Sequence, residues 1–85
     1  MGIPVERGRL SRYGEYWLVY DLPPCPTELD GAAYRRFVRH VREGVSMAAI
    51  AREHGTTPYR IGEEFDRTHS RLRYERVLAG KGVGQ

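Results

Sequence analysis

The chain has 85 residues, of which 40% are hydrophobic and 29% charged, and it carries one cysteine and a formal net charge of +3. This length allows one small domain and leaves no room for a separate catalytic domain. The single cysteine excludes an internal disulfide and a zinc site built on cysteine pairs. We therefore expect a non-enzymatic, cytoplasmic protein without a cofactor or a metal, and its short apolar runs predict no contact with membranes.

The charge is distributed unevenly along the chain. Residues 1–30 carry three arginines and five acidic residues, whereas residues 31–85 carry ten arginines, one lysine and six acidic residues. Arginine binds phosphate groups with two parallel hydrogen bonds and stacks on bases. GC-rich coding would also raise the proportion of arginine to lysine, but it would not concentrate the positive charge in one part of the chain. This distribution favours an acidic partner, such as nucleic acid, for residues 31–85.

Residues 1–26 are predicted to form a β-hairpin followed by a proline-rich linker. The segment Glu15–Asp21 is rich in aromatic and β-branched residues, which is typical of a strand, and residues 8–12 would form the partner strand. Such a strand has apolar side chains on both faces, and a two-stranded hairpin is only marginally stable alone. We therefore expect it to pack on helices or to pair with a second copy of the chain. The predicted dimer contacts are Tyr16, Trp17, Leu18, Val19 and Tyr20.

Residues 27–79 are predicted to form a domain of three or four helices. Asp30 is a suitable N-cap for the first helix, and Gly44 is a suitable end. Apolar residues at positions i, i+3, i+4 and i+7 give this helix one buried stripe. The residues of the stripe are Tyr34, Phe37, Val38 and Val41. The predicted fold class is therefore mainly α with a small N-terminal β-hairpin.

A short second helix and a longer third helix follow. Ser46 caps the second helix, Gly55 ends it, and Thr57 precedes a proline that begins the third helix. A further helical segment covers residues 71–79, and the sequence leaves open whether it continues the third helix. Residues 80–85 are predicted to form a flexible tail.

The segment 46–66 contains a small residue, Ala51, followed by Gly55 four residues later and by Ile61 six residues after that. A small side chain lets two helices cross closely, and glycine accepts the left-handed backbone angles of a tight turn. With this spacing the segment resembles a helix-turn-helix DNA-binding motif. It is similar to the DNA-binding domains of resolvases and invertases and to the promoter-reading end of sigma factors.

This resemblance implies that the helix formed by residues 57–67 lies in the major groove of double-stranded DNA, with its first turn at the base edges. Arg60 would bind a guanine or a phosphate, and Glu63 would accept a hydrogen bond from a cytosine. Thr57 would bind a phosphate or only cap the helix, and Tyr59 would contact the DNA or pack in the core. The other arginines would bind phosphates or belong to solvated helix faces. The predicted DNA-binding residues are Thr57, Tyr59, Arg60, Glu63, Arg67, Arg71, Arg52 and Arg76.

Acidic residues on the same helix count against DNA binding. Glu63, Glu64 and Asp66 would repel phosphate groups, and Glu64 stands where the motif usually has an aliphatic residue. We expect Glu64 to pair with Arg60 or Arg67 at helical spacing. The acidic residues predict a selective DNA-binding protein of modest affinity.

These observations favour a small homodimeric, sequence-specific regulator of transcription, of the type found in phages, plasmids and bacterial operons. Two other interpretations remain open. In one, the hairpin is a wing that contacts DNA through Arg7, Arg9 and Arg12. In the other, the protein is an interaction module that docks its aromatic hairpin on a larger protein, such as RNA polymerase or DNA-packaging machinery.

Overall fold

Residues 11–83 of the computed structural model form helices joined by loops, and these are the residues that the structure describes, with side chains for residues 11–79. In chain order, this part contains α1 (Arg12–Val19), α2 (Gly31–Glu43), α3 (Met47–Glu53) and α4 (Pro58–Val83). No strand is present between residues 11 and 83. The predicted fold class, mainly α with an N-terminal β-hairpin, is therefore wrong in its β part, since the regular structure described is entirely helical.

The segment that the sequence predicts as a strand is helix α1. The Ser11 hydroxyl caps this helix by accepting a hydrogen bond from the Gly14 amide at 3.2 Å. In a helix, Tyr13 and Trp17 lie one turn apart on the same side and are both buried, whereas a strand would place Glu15, which is exposed, on that side too. The strand prediction fails because burial of this aromatic pair outweighs the strand preference of the isolated segment. Residues 8–10, which were expected in the partner strand, lie outside the described residues.

Polar contacts hold α1 against the other helices. The Trp17 Nε1 group donates a hydrogen bond to His69 Nδ1 of α4 at 3.0 Å, and the Tyr13 hydroxyl donates one to Asp66. Arg42 of α2 donates to the Trp17 carbonyl at 2.7 Å, which satisfies one of the carbonyls left open at the end of α1. Each of these partners is 25 or more residues away along the chain. Local sequence patterns therefore give no sign of them.

Helix α2 agrees with the sequence prediction at both ends. The Asp30 carboxylate caps it by accepting a hydrogen bond from the Ala32 amide at 3.3 Å, and Gly44 ends it with a φ of 76°. Phe37 and Val41 of the predicted stripe are buried, and the other two residues of the stripe are half-buried. The i, i+3, i+4, i+7 pattern therefore identifies the buried side of α2.

Helix α3 and the start of α4 are joined by a tight turn. Ser46 caps α3, and Ala51 near its end is 1% exposed, as expected where two helices cross closely. Gly55 has a φ of 65°, which confirms the predicted left-handed residue, and the Thr56 amide donates to the Ala51 carbonyl at 2.9 Å. A Cβ atom at Gly55 would meet no atom within 4 Å, so the need for glycine comes from the backbone angle alone.

Helix α4 is one continuous helix of 26 residues, so the predicted third helix and the segment 71–79 belong to the same element. At 1.5 Å per residue it is about 39 Å long. Its buried side chains follow a helical spacing and end at Leu72. They are Ile61, Phe65, Thr68 and Leu72. The helix includes residues 80–83 of the predicted tail, and residues 84–85 lie outside the described residues.

The hydrophobic core receives side chains from each of these helices. Trp17 of α1, Phe37 of α2, Ile50 of α3 and Phe65 of α4 are all 0% exposed. The rings of Phe37 and Phe65 pack edge to face with their centroids 5.3 Å apart, and Tyr13 packs against both rings. This packing holds the first half of α4 in place and turns its other side toward solvent.

Candidate nucleic-acid interface

The outer side of α4 begins directly after the turn. Thr57 Oγ1 accepts a hydrogen bond from the Arg60 amide at 3.2 Å, so Thr57 caps the helix. The Tyr59 side chain is 74% exposed, so it does not pack in the core. Together with two further exposed side chains, these residues form a surface that we call the reading face. Its residues are Thr57, Tyr59, Arg60, Glu63 and Arg67.

Glu64 is neutralised by an arginine of α2. Its carboxylate accepts two hydrogen bonds from the Arg36 guanidinium, at 2.8 and 2.7 Å, and both side chains are 20% exposed. The hydrogen bond to Glu64 raises the pKa of Arg36, so the arginine keeps its charge. The prediction that Glu64 pairs with Arg60 or Arg67 is therefore wrong, because α2 packs beside α4 and supplies a bidentate partner.

Asp66 is held by side chains of α1. Its carboxylate accepts hydrogen bonds from the Tyr13 hydroxyl and from the Arg12 guanidinium. These contacts, with Tyr13 as the largest cause, lower the pKa of Asp66 below its ordinary value. Asp66 therefore stays ionised while Arg12 balances its charge. Of the three acidic residues that count against DNA binding, only Glu63 is exposed without an ion pair in the described part of the chain.

The predicted phosphate contacts differ in their availability. Arg52 of α3 and Arg67 of α4 are exposed, and neither has a carboxylate partner among the described side chains. Arg71, in contrast, forms ion pairs with Glu28 and with Glu75. The first of these pairs ties α4 to the loop before α2. Arg71 is therefore less available to a phosphate than Arg52 or Arg67.

Arg76 lies in a different environment from the reading face. Its Nε group donates a hydrogen bond to the Tyr16 hydroxyl at 3.1 Å, and its guanidinium stacks 4.1 Å from the centroid of the Tyr20 ring. Along α4 it lies about 14 Å beyond Arg67. Arg76 and the reading face therefore belong to separate parts of the surface.

The predicted dimer contacts differ in how exposed their side chains are. Trp17 is 0% exposed, so its side chain is inaccessible to a second chain. Tyr16 is half-buried, whereas Leu18 and Val19 are 71% and 73% exposed and Tyr20 is 41% exposed. The exposed side chains at the end of α1 remain available for contact with another molecule.

The arginines of the wing interpretation do not lie on a hairpin in the described residues. Arg12 begins α1 and pairs with Asp66, and the segment around it is helical. Arg7 and Arg9 lie outside the described residues.

A shallow cavity of about 190 Å³ lies beside the turn, between α2 and the start of α4. Arg36 and Glu64 neutralise each other on its wall, so Arg60 gives the cavity a net positive charge. The lining residues are Arg36, His54, Thr56, Arg60, Ile61 and Glu64. The cavity therefore places a cationic concave surface next to the reading face.

The sequence does not reveal the two arginines, Arg36 and Arg12, that neutralise the carboxylates of Glu64 and Asp66 on α4. Arg36 is 28 residues from Glu64, and Arg12 is 54 residues from Asp66. The spacing rules for ion pairs apply within one helix and do not reach that far. The only signal was the excess of arginine itself, which does not identify the partner.

Comparison of the chain with protein-family models, curated proteins and solved structures finds no match. Among the described residues, no helix has the length and apolar character needed to cross a membrane. In the same residues, no three His, Cys, Asp or Glu side chains are grouped as ligands for a metal ion. The function must therefore be inferred from the reading face and its surroundings.

Proposed function

We propose that this protein is a non-enzymatic regulator of transcription that binds double-stranded DNA and reads the major groove with the first half of α4. The observation that carries the proposal is the charge of the reading face. Arg60 and Arg67 are exposed on it, whereas Glu64 and Asp66 are neutralised by other helices. The glycine-dependent turn before α4 supports the same proposal, because it gives this helix a fixed position beside α3.

The exposed side chains have the chemistry that base edges require. Arg60 and Arg67 are seven residues apart, which places them on the same side of α4 about 10 Å from each other. A guanidinium donates two hydrogen bonds to guanine, and the Glu63 carboxylate accepts one from the amino group of cytosine. The negative charge of Glu63 repels phosphates, and a cytosine amino group compensates for this repulsion by donating a hydrogen bond. The reading face is therefore expected to discriminate between sequences at the cost of general affinity.

The cavity beside the turn offers a place for a backbone phosphate. Arg60 and His54 line it, and the Thr56 hydroxyl adds a neutral donor. Phosphate contacts fix the position of a protein on the duplex, whereas base contacts select the sequence. Arg60 can contribute to either kind of contact, since it lines the cavity and also belongs to the reading face.

A single helix-turn-helix unit makes few base contacts, so we propose that the protein acts as a homodimer on two half-sites. The same proposal locates the protein in the cytoplasm, where bacterial and phage genes are transcribed. The larger protein partner of the alternative interpretation has no hairpin to dock on in the described residues.

Selection of bound duplexes from a random library, followed by anisotropy titrations, tests the proposal. Wild type is expected to enrich a sequence motif and to bind it more weakly as salt rises from about 50 to about 200 mM. Arg60→Ala should relax the selected sequence, because Arg60 lies in the first turn of α4, which is expected at the base edges. The absence of duplex binding at low salt would contradict the proposal.

Arg35→Ala is the matched control. Arg35 is also an exposed arginine, but it lies on α2, outside the reading face. Its loss changes the net charge by the same amount as Arg60→Ala. It should leave the selected sequence unchanged and weaken all duplexes slightly and equally.

A further inference from the structure

The exposed apolar side chains of the described residues are concentrated in two segments. Apart from Tyr59 on the reading face, every large hydrophobic residue that is strongly exposed lies at the end of α1 or in the second half of α4. These residues are Leu18, Val19, Tyr20, Tyr74, Val77 and Leu78. On α4, Val77 lies about 100° around the helix from Arg76, whereas Tyr74 and Leu78 lie about 160° from it. Exposed apolar side chains that are close together on a small protein indicate a contact surface, and Val77 is the one on α4 nearest to the end of α1.

The two segments meet through an arginine. The Arg76 guanidinium stacks 4.1 Å from the centroid of the Tyr20 ring, which links α4 to the end of α1. Val19 precedes Tyr20 at the end of α1, and Val77 follows Arg76 about 100° around α4. Both are exposed apolar side chains next in sequence to the stacked pair. Arg73 lies one turn before Val77, and its guanidinium is 5.5 Å from the ring of Tyr16 in α1. The α1–α4 surface is defined here by Val19, Tyr20, Arg73, Arg76 and Val77.

This surface and its edge carry charges of both signs. Arg73 and Arg76 lie in it, and Glu15 and Asp21 lie next to it, since Glu15 is one helical turn before Val19 and Asp21 follows Tyr20. None of the four forms an ion pair within the described part of the chain. A two-fold axis can place the cations of one copy opposite the acidic residues of the other, so a surface with both signs can pair with itself. Charge therefore favours a second copy over a partner of one sign.

The α1–α4 surface lies beside the reading face rather than on it. At about 100° per residue, Val77 at the near edge of the surface is about 80° around α4 from Arg67, whereas Arg73 and Arg76 are about 120° and 180° from it. If the copies meet at the Val77 edge, a two-fold axis parallel to the direction of the reading face would let both copies face the same duplex. Along α4, Val77 lies about 21 Å from the centre of the reading face, so two copies that cross there place their reading faces up to about 42 Å apart. An inclined crossing reduces this distance to the ~34 Å of one DNA turn.

We propose that two copies of this chain associate through the α1–α4 surface. A stable interface buries about 800 Å² on each partner, and this surface offers roughly several hundred Å² of side chain. The dimer is therefore expected to be weak and to form with rising protein concentration. The link to two half-sites rests on the proposed function, but association of the chains is measured without DNA.

Sedimentation over a range of protein concentrations tests the association. Wild type should pass from monomer to dimer, and the double variant Val19→Asp with Val77→Asp should remain a monomer. Both side chains are exposed, so the variant should keep its helical circular dichroism. Tyr59→Asp is the control, because Tyr59 is at least as exposed as Val19 and Val77 but lies on the reading face, and this variant should still form dimers. A wild type that stays monomeric at the highest concentration would overturn the proposal.

Charge exchange tests which surface is used. A variant with Arg73→Glu and Arg76→Glu and a variant with Glu15→Arg and Asp21→Arg should each be monomeric alone. Mixed together, they should form a heterodimer, because the acidic surface of one then meets the basic surface of the other. Dimers that persist in both variants, or a mixture that does not associate although wild type does, would overturn the assignment of this surface.

Titration of the monomeric variant Val19→Asp with Val77→Asp against a duplex with one half-site separates this inference from the proposed function. Binding to one half-site with loss of the tighter binding to two half-sites supports both. Monomeric wild type that binds one half-site overturns the dimer alone. A dimer that binds no duplex overturns DNA binding and leaves the association intact.

Discussion

The two halves of α4 belong to one helix but have different surroundings. In residues 58–69, Ile61 and Phe65 are buried, and the acidic side chains next to the reading face are neutralised by α1 and α2. In residues 70–79, Leu72 is the last buried side chain, and three large apolar side chains are exposed. These are Tyr74, Val77 and Leu78.

This difference shows that one helix presents two kinds of surface because its neighbours end partway along it. Helices α2 and α3 pack against the first half, so its outer side carries mainly polar and charged side chains, with Tyr59 as its one large exposed apolar side chain. The second half extends beyond them. It contacts α1 through Arg73 and Arg76, and Arg71 at its start pairs with Glu28 of the loop before α2. The first half is therefore suited to a charged ligand and the second half to another protein surface.

The largest expected effect on stability comes from replacing one of two leucines in the second half of α4 by alanine. Leu72 is 0% exposed and Leu78 is 44% exposed. Leu72→Ala should lower the free energy of unfolding by about 2–5 kcal/mol, because it leaves a cavity in the core. Leu78→Ala should lower it by less than about 1 kcal/mol. Chemical denaturation of dilute protein measures both free energies of unfolding. Equal losses would mean that the buried part of α4 does not end at Leu72.

The next effect concerns the turn that fixes the start of the first half. Gly55 and Gly62 both have open space for a Cβ atom, but only Gly55 has a positive φ. Gly55→Val should therefore cost about 1–3 kcal/mol of stability through backbone strain alone. Gly62→Ala, within the helix, should stabilise the protein by about 0.5–1 kcal/mol. Thermal melting curves that shift in the same direction for both variants would contradict this account of the turn.

Sequence alone predicts the parts of this fold that depend on local chemistry. Asp30 and Ser46 cap their helices as expected, and Gly44 and Gly55 adopt the expected left-handed angles, because caps and turns involve only neighbouring residues. Helix α1 was missed because its aromatic residues favour a strand locally and become helical through contacts with distant partners such as His69.

The sequence also predicts the local features of the candidate site and misses those that depend on distant residues. The exposure of Arg60 and Arg67 follows from the helical pattern of α4. The neutralisation of Glu64 does not, because its partner Arg36 comes from another helix 28 residues away. The sequence therefore overstated the negative charge of the reading face.

A smaller effect is expected from releasing one of these acidic residues. Arg36→Ala leaves Glu64 unpaired beside the reading face, so it should weaken DNA binding by about 1 kcal/mol, or roughly fivefold. Arg35→Ala removes the same charge from the exposed side of α2 and should have less effect. The double variant Arg36→Ala with Glu64→Ala should recover most of the loss. Anisotropy titrations measure all three, and equal effects of the two arginine variants would show that Glu64 does not influence the reading face.

The smallest effect concerns His69, which lies where the two halves of α4 meet. Its Nδ1 atom accepts a hydrogen bond from the indole of the fully buried Trp17 at 3.0 Å, and a proton on Nδ1 would face that indole N–H group. Burial, followed by the charges of Arg73 and Arg12, lowers the pKa of His69, while Asp66 opposes the shift. Tyr13 and Tyr16 of α1 and Phe37 of α2 pack their rings around it.

The sign of the pH dependence follows from this lowered pKa. As pH falls below the ordinary imidazole value of 6.5, the unfolded chain binds a proton that the folded protein does not, so stability declines. The decline ends once pH passes below the pKa of His69 in the folded protein. Asp66 adds a separate loss at lower pH, because its lowered pKa keeps it ionised to below its ordinary value of 3.8.

Urea denaturation at a series of pH values, followed by the fluorescence of Trp17, the single tryptophan of the chain, measures this dependence. His69→Gln should abolish the part of the decline that begins near 6.5, because glutamine accepts the indole hydrogen bond without titrating. His54→Gln is the matched control, since His54 is exposed at the turn and should leave the decline unchanged. If His69→Gln retains the full decline, protonation at the junction of α1 and α4 is not its source, and another group must bind the proton on unfolding.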